Sequence, residues 1–230
     1  MNDFFLNSVT IGVVISCISY FIGLAIKKKW KWPFLNPLLI AIILVIGFLL
    51  LFQVDYEAYN SSAKYLSYLL TPATVSLAIP LYQQIELLKK NLTAICVGIL
   101  SGVFTSLVCI LAFAFLFHLS HEEYITLLPK SITTAIGMGV SEELGGYAVI
   151  TAAVIIVTGV FGNMTAEAVC RIFRIKNPIS KGIAIGSASH AIGTAKAMEM
   201  GKIEGAMGSL SIVVSGLCTV VGAAIFARFY

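Results

Sequence analysis

Residues 72–104 recur without a gap at residues 129–161, a shift of 57 positions along the chain. Ten of the 33 aligned positions are identical, and Pro72/Pro129, Glu86/Glu143 and Gly102/Gly159 among them are not apolar background. A fainter third copy follows, in which Ala191, Ile192 and Glu199 keep the spacing of Ala135, Ile136 and Glu143. Each copy couples a short polar segment to one apolar run. Many secondary carriers are built this way, with the solute site where the copies meet. The copies are expected at 64–117, 121–170 and 177–230, after N-terminal helical spans at 1–63, in one membrane domain.

The chain is 59% hydrophobic and only 11% charged, against about a quarter charged in soluble domains. So much apolar surface has no place in a soluble globule, which makes this an integral membrane protein. Uncharged runs at 8–26, 33–52, 92–117, 148–166 and 205–227 approach or reach the roughly 20 residues that cross a bilayer. A sixth run, 65–85, carries Pro72 and Pro80, which predict a broken or kinked helix. The fold class is therefore all-α and polytopic, with about six transmembrane helices.

Two further apolar segments are too short to cross. Eleven uncharged residues separate Lys130 from Glu142, and thirteen separate Gly182 from Lys196. At about 1.5 Å per residue each reaches about half the hydrocarbon thickness. They read as re-entrant half-helices.

The net charge is +4, and the basic residues cluster beside apolar runs, as at Lys27, Lys28, Lys29 and Lys31. Such clusters set orientation against the bilayer and its anionic headgroups, and they argue against nucleic acid as a partner. With 27–31 cytoplasmic, the N-terminus and 53–63 lie outside, Lys89 and Lys90 inside, and 118–123 outside. A dip at 124–146 then keeps Arg171, Arg174, Lys176 and Lys181 inside, and makes 92–117 and 148–166 run in opposite directions. An inverted repeat requires this. For the third copy Lys202 and Arg228 favour opposite answers, and only its length argues for a dip. The first half of copy one reads as a crossing, unlike its counterparts. The compartment is a cell inner or plasma membrane, spanned several times.

Several chemistries lack their signatures. The five cysteines, Cys17, Cys96, Cys109, Cys170 and Cys218, are scattered, with no CxxC or Cys/His cluster, so neither zinc nor a disulfide scaffold is expected. No HExxH, GxSxG or Walker A motif occurs, which argues against an enzyme. No cofactor is implied. The N-terminal apolar run lacks a basic n-region and a small-residue cleavage site, and reads as a retained span.

The polar chemistry sits on the two short segments. LLPKSITTAIGMGVSEELGG offers Ser131, Thr133, Thr134 and Gly137; IGSASHAIGTAKAMEMGKIEG offers Ser187, Ser189, His190, Gly193, Thr194 and Lys196. A half-helix start supplies free N–H groups and about half a positive charge, suited to a carboxylate. Lys196 would add charge. Glu143 and Glu199, at equivalent repeat positions, either partner it, couple transport, or mark where each half-helix meets the surface. His190 is a candidate for coupled proton binding. Small and hydroxylated residues are also common packing contacts between membrane helices, and a lysine can snorkel. No metal site is expected.

These two stretches, with FLNPLLIA at 34–41 and LAIPLY at 77–82, resemble the signature segments of the LrgB/CidB family of holin-like and antiholin-like membrane proteins, over essentially the whole chain. The family's signature residues carry over as Pro129, Ser131, Glu143, Gly145, Gly146, Ser189, His190, Gly193, Thr194, Lys196 and Glu199; the stretch Met138–Glu142 is a point of variation. The resemblance implies a smaller LrgA/CidA-type membrane partner. It also implies either control of murein hydrolase export and autolysis, or transport of pyruvate, glycolate, glycerate or a similar monocarboxylate, as in the related plastid protein. Internal repeats and polar half-helices favour the carrier, because a holin needs oligomerising spans but neither of these. A homo-oligomer is compatible with both readings.

Overall fold

The structure is a computed structural model. It describes residues 5, 8–30 and 35–230 (of Leu70 and Thr74, the backbone only), so Lys31 and the start of the 33–52 run lie outside the described residues. The described residues are helical, with no strand. They divide into two compact units, Met1–Ser76 and Leu77–Tyr230.

In the first unit, α1 (Ile11–Trp30) and α2 (Pro37–Leu51) pack together with α3 (Tyr56–Ala63). The contact is made by small residues. A methyl group at Gly23 would fall 2.6 Å from the Pro37 carbonyl oxygen, and one at Gly12 2.6 Å from the Ala63 nitrogen. Asn36 caps α2 through its side-chain oxygen, 2.8 Å from the Leu38 N–H, with Pro37 at the first helical position. That device starts the helix at 37 and leaves it 15 residues. A 3₁₀ turn, Lys64–Leu69, leads to α4 (Leu70–Ser76).

The second unit starts inside the proline-bearing run. This run forms no single span: it is divided into the 3₁₀ turn, α4 and α5 (Ala78–Gln83). Pro72 and Pro80 each sit in the first turn of a short helix, where a missing N–H does no harm, and each prevents continuation from the preceding helix. α6 (Ile85–Lys90) leads into α7 (Leu92–Phe117). Then come α8 (His121–Leu127), α9 (Thr134–Leu144), α10 (Ala148–Ile172), α11 (Pro178–Met200) and α12 (Lys202–Phe226).

Among the described residues, α1, α7, α10 and α12 are long and apolar enough to cross a membrane, and α2 is shorter. Their outer faces stay apolar and exposed, as at Phe104, Val157, Phe161, Val213 and Leu217. Their inner faces carry the core: Ile95, Ile99, Val103, Leu107 and Ile110 of α7 form one buried stripe against Ile183, Met207, Tyr124 and Leu128. The protein is a multi-pass all-α membrane protein.

α8 and α9 form a hairpin that goes in and comes back. Near its base Thr126 accepts the Tyr147 N–H through its hydroxyl (2.8 Å), and its carbonyl accepts the Thr151 hydroxyl (2.9 Å). Near its tip a methyl group at Gly137 would lie 3.3 Å from the Pro129 carbonyl oxygen. α11 is a second hairpin. Its helix is broken at Ser189 (φ −136°, ψ 18°) and His190 (φ 43°, ψ −140°). A methyl group at Gly193 would sit 3.0 Å from the Ile185 carbonyl oxygen, a contact across eight residues that a straight helix forbids. Gly182 of the entering arm and Met198 of the returning arm both pack at the level of residues 204–207 on α12. Length alone argued for a dip here, and the dip is what forms.

α10 joins the two hairpins. The first has its base at the start of α10; the second has its base at the other end, where Cys170 and Ala166 cluster with Ile185, Ala197 and Met200. One span between them turns the second hairpin upside down. The end holding Lys89, Lys90, Arg171, Arg174, Lys176, Lys181 and Lys202 is opposite the end holding His118, Glu122, Glu123 and Glu143.

Candidate functional site

Both hairpin tips reach mid-depth, the first beside Ser106 of α7 and the second beside Ile155 of α10. A cavity of about 810 Å³ lies there. One wall is α7, which presents Gly98, Ser101, Gly102, Thr105 and Ser106 at helical spacing. The second hairpin supplies Ser180, Ala184 and Ser187, and the first supplies Lys130 and Ser131 from its tip. Phe173, Arg174 and Ile175 border the cavity on the basic side.

The first tip is non-helical because Pro129 ends the entering arm and Thr133 starts the returning one. Of its side chains Lys130 and Ser131 line the cavity, while Pro129 and Ile132 are buried. Lys130 Nζ donates to the Ser131 hydroxyl (3.0 Å), which lies 3.2 Å from the Ser106 hydroxyl. Lys130 is half-buried and forms no ion pair among the described residues. A lysine at membrane depth costs about 2.5–3.5 kcal/mol, so this one is held where its charge has a use or water has access.

The second tip is docked instead. A methyl group at Gly159 would fall 2.6 Å from His190 Cε1, and one at Gly162 would overlap Ser189 Oγ. His190 is buried, with Nε2 3.0 Å from the Ile155 carbonyl oxygen. A carbonyl only accepts, so Nε2 carries the hydrogen in this arrangement. Asn163 donates to the Ile192 carbonyl (2.7 Å). These α10 contacts satisfy backbone and ring groups that a break inside a membrane would leave bare.

The sequence-derived residues therefore divide. Ser131 and Ser187 line the cavity. Ser187 also donates back to Ile183 (2.7 Å). Thr133 is the N-cap residue of α9 without a side-chain cap bond, and Thr134 begins that helix. Gly137 admits Ile155 and Pro129, and Gly193 lets the two arms of the second hairpin touch. Ser189 and His190 form the docked tip. Thr194 is fully buried beside Gly208, and its hydroxyl has no hydrogen-bond partner.

Lys196 requires a correction. It lies on the returning arm, paired with Glu167 of α10 at 2.7 Å and with Glu199 at 3.2 Å, and it does not line the cavity. Two carboxylates neutralise it where it stands. Glu199 is thus its partner, while Glu143 is exposed at the end of α9, where that hairpin meets the surface. The lysine that faces the cavity is Lys130. Among the described residues no His/Cys/Asp/Glu group could hold a metal ion.

Sequence reading passed over Ser101, Thr105 and Ser106, and took Gly102 only as a match between repeat copies. A signal existed: positions 98, 101, 102, 105 and 106 are all small or hydroxylated, at the i, i+3, i+4, i+7, i+8 spacing of one helical face, inside an otherwise apolar span.

The chain matches the LrgB-like family over residues 16–229. It belongs to that family. Proteins called antiholin-like protein LrgB are similar to it along nearly their whole length. The one from Bacillus mycoides (strain KBAB4) is 39% identical over 219 residues, 95% of each chain. Those from Bacillus cereus (strain B4264) and Bacillus anthracis (strain CDC 684 / NRRL 3495) are 38% identical over the same length. No solved structure matches the chain. The LrgB-like match takes in both hairpins, the whole cavity and all of α1 beyond its first turn.

Proposed function

We propose that this LrgB-like protein is a secondary carrier for small monocarboxylates such as pyruvate, glycolate, glycerate or lactate, rather than an enzyme. One observation carries the reading: Lys130, a cation without an ion-pair partner among the described residues, lies beside hydroxyls at mid-depth, in a cavity that two opposed hairpins line. A carboxylate there is held by Lys130 Nζ and by the hydroxyls of Ser131, Ser106 and Ser187. Charge-assisted hydrogen bonds of this kind are about twice as strong as neutral ones. Inverted repeats around a central site supply the means of opening it alternately to each side. Proton coupling at His190 would use Nδ1, since Nε2 already carries the hydrogen that it donates to the Ile155 carbonyl. An LrgA/CidA-type membrane protein is the proposed partner.

The relatives' printed names favour a second reading, an antiholin-like regulator of murein hydrolase export and autolysis. One measurement separates the two: uptake of labelled pyruvate, glycolate and lactate into proteoliposomes, with and without the smaller partner. Saturable uptake, inhibited competitively by the other acids and lost in Lys130→Met, supports the carrier. Non-saturable leakage of unrelated solutes of similar size overturns it. Uptake that responds to an imposed pH gradient supports a proton role, and uptake that ignores pH removes that role alone.

Orientation has its own test on a cysteine-free background. His121→Cys should react with a membrane-impermeant thiol reagent from outside, and Lys176→Cys only from inside. Labelling of both from outside sinks the re-entrant arrangement.

A further inference from the structure

A second cavity, of about 530 Å³, opens at the basic end of the molecule, between the end of α10, the base of the second hairpin and the start of α12. Arg171, Arg174, Lys176 and Lys181 converge on it, with Glu167 and Glu204 as its acidic lining. The four cations are unpaired: none forms an ion pair among the described residues. Of the two carboxylates, Glu167 is engaged by Lys196 at 2.7 Å. Topogenic charge needs only to sit in a loop on the correct side. It has no need to line a concavity, nor to leave a neighbouring carboxylate to a different lysine.

We propose that this cavity binds a phosphate-bearing anion at the cytoplasmic face, separate from the inner solute site. Two guanidinium and two ammonium groups match the several oxygens and the charge of a phosphate mono- or diester. Basic pockets at the cytoplasmic ends of membrane helices hold anionic headgroups in the same way. The cavity also borders the solute path. Arg174 and Ile175 line both cavities, and Arg174 holds a left-handed backbone (φ 56°) at the turn between α10 and α11. An anion bound here fixes the Arg174 turn at the mouth of the inner cavity. This inference does not depend on what the inner cavity carries.

The shared chemistry has two sources, a lipid headgroup and a soluble phosphate, and the experiment separates them. The full chain is reconstituted into phosphatidylcholine vesicles with or without phosphatidylglycerol. Lipid retained after delipidation is then weighed by native mass spectrometry, and binding of labelled pyrophosphate is measured in parallel. Preferential retention of phosphatidylglycerol identifies the lipid source; saturable pyrophosphate binding identifies the soluble one. In either case Arg171→Gln combined with Lys181→Gln should weaken the interaction at least about tenfold, roughly 1.4 kcal/mol. Both residues lie outside the inner cavity. If the double variant melts early, Lys176→Gln, at an exposed position, gives the same reading alone. Equal retention of both lipids with no pyrophosphate binding overturns the site, as does binding that these variants leave unchanged. Because solute uptake is not the readout, a failed carrier and a failed anion site are told apart.

Discussion

The two re-entrant hairpins are copies of one plan that put their tips to different uses. The first turns through Pro129–Thr133 without helical structure and exposes Lys130 and Ser131 to the cavity. The second turns within two residues, Ser189 and His190, and presses both into α10. A loose tip can present side chains but needs capping from elsewhere. A tight tip satisfies its backbone against a neighbour, yet then has nothing left to offer a solute. The first tip lines the inner cavity and the second is anchored on α10.

The sharpest way to break this comparison is to fill the socket of the second tip. Gly162→Ala places a methyl group on Ser189 Oγ. Overpacking typically costs about 1–3 kcal/mol, and this contact is expected at or above the upper end. A melting curve of the purified protein should fall accordingly, and Ser189→Gly in the same chain should restore much of it. Normal stability of Gly162→Ala alone would mean that the second tip is not docked.

The first tip should respond in the opposite sense. Lys130→Met should leave the melting curve nearly unchanged, or raise it, because an uncompensated cation is removed from membrane depth. Carboxylate binding should fall at least about tenfold, or about 1.4 kcal/mol. A variant that transports normally would move the site away from this tip.

A smaller effect is expected at the base of the first hairpin. The Thr151 hydroxyl donates to the Thr126 carbonyl at 2.9 Å and shares a 2.7 Å hydrogen bond with Ser141, all of them buried. Thr151→Val removes one donor and leaves two groups bare. About 1–3 kcal/mol of stability should go, read as a lower melting temperature with solute affinity intact. The smallest change belongs to Lys196→Met. Its partners Glu167 and Glu199 are about half exposed, at 53% and 55%, and such pairs contribute about 0–1 kcal/mol. A collapse of carboxylate binding in this variant would return the site to the second hairpin.

Run length and charge made most of the fold legible. Uncharged runs marked α7, α10 and α12, and segments too short to cross marked both hairpins. The Asn–Pro pairs at 36–37 and 177–178 are a signal the sequence reading did not use: each asparagine caps a helix, accepting N–H groups at 2.8 and 3.3 Å. The turn of the second hairpin was not legible. A positive φ usually advertises itself as glycine, and here the residue is His190, held there by room that Gly159 makes 31 positions earlier. That the cavity is lined by Lys130 and not by Lys196 was not legible for a related reason. Lys130 served to delimit an apolar segment and so was counted as its edge, while Lys196 stood inside a motif and was counted as its centre. The deciding contact, Lys196 with Glu167, spans two helices, and no local spacing announces it.

Ile155 touches both halves of the repeat. Its side chain fills the space that Gly137 leaves in the first hairpin, and its carbonyl holds His190 of the second. A displacement of α10 at this residue is felt by both tips at once, so neither can take up a new position without altering the energy of the other. Thermodynamic linkage makes that influence equal in both directions: whatever a shift of the first tip does to the second, a shift of the second does in return to the first. Two hairpin tips that share a single residue as their common bearing need no signal passed between them.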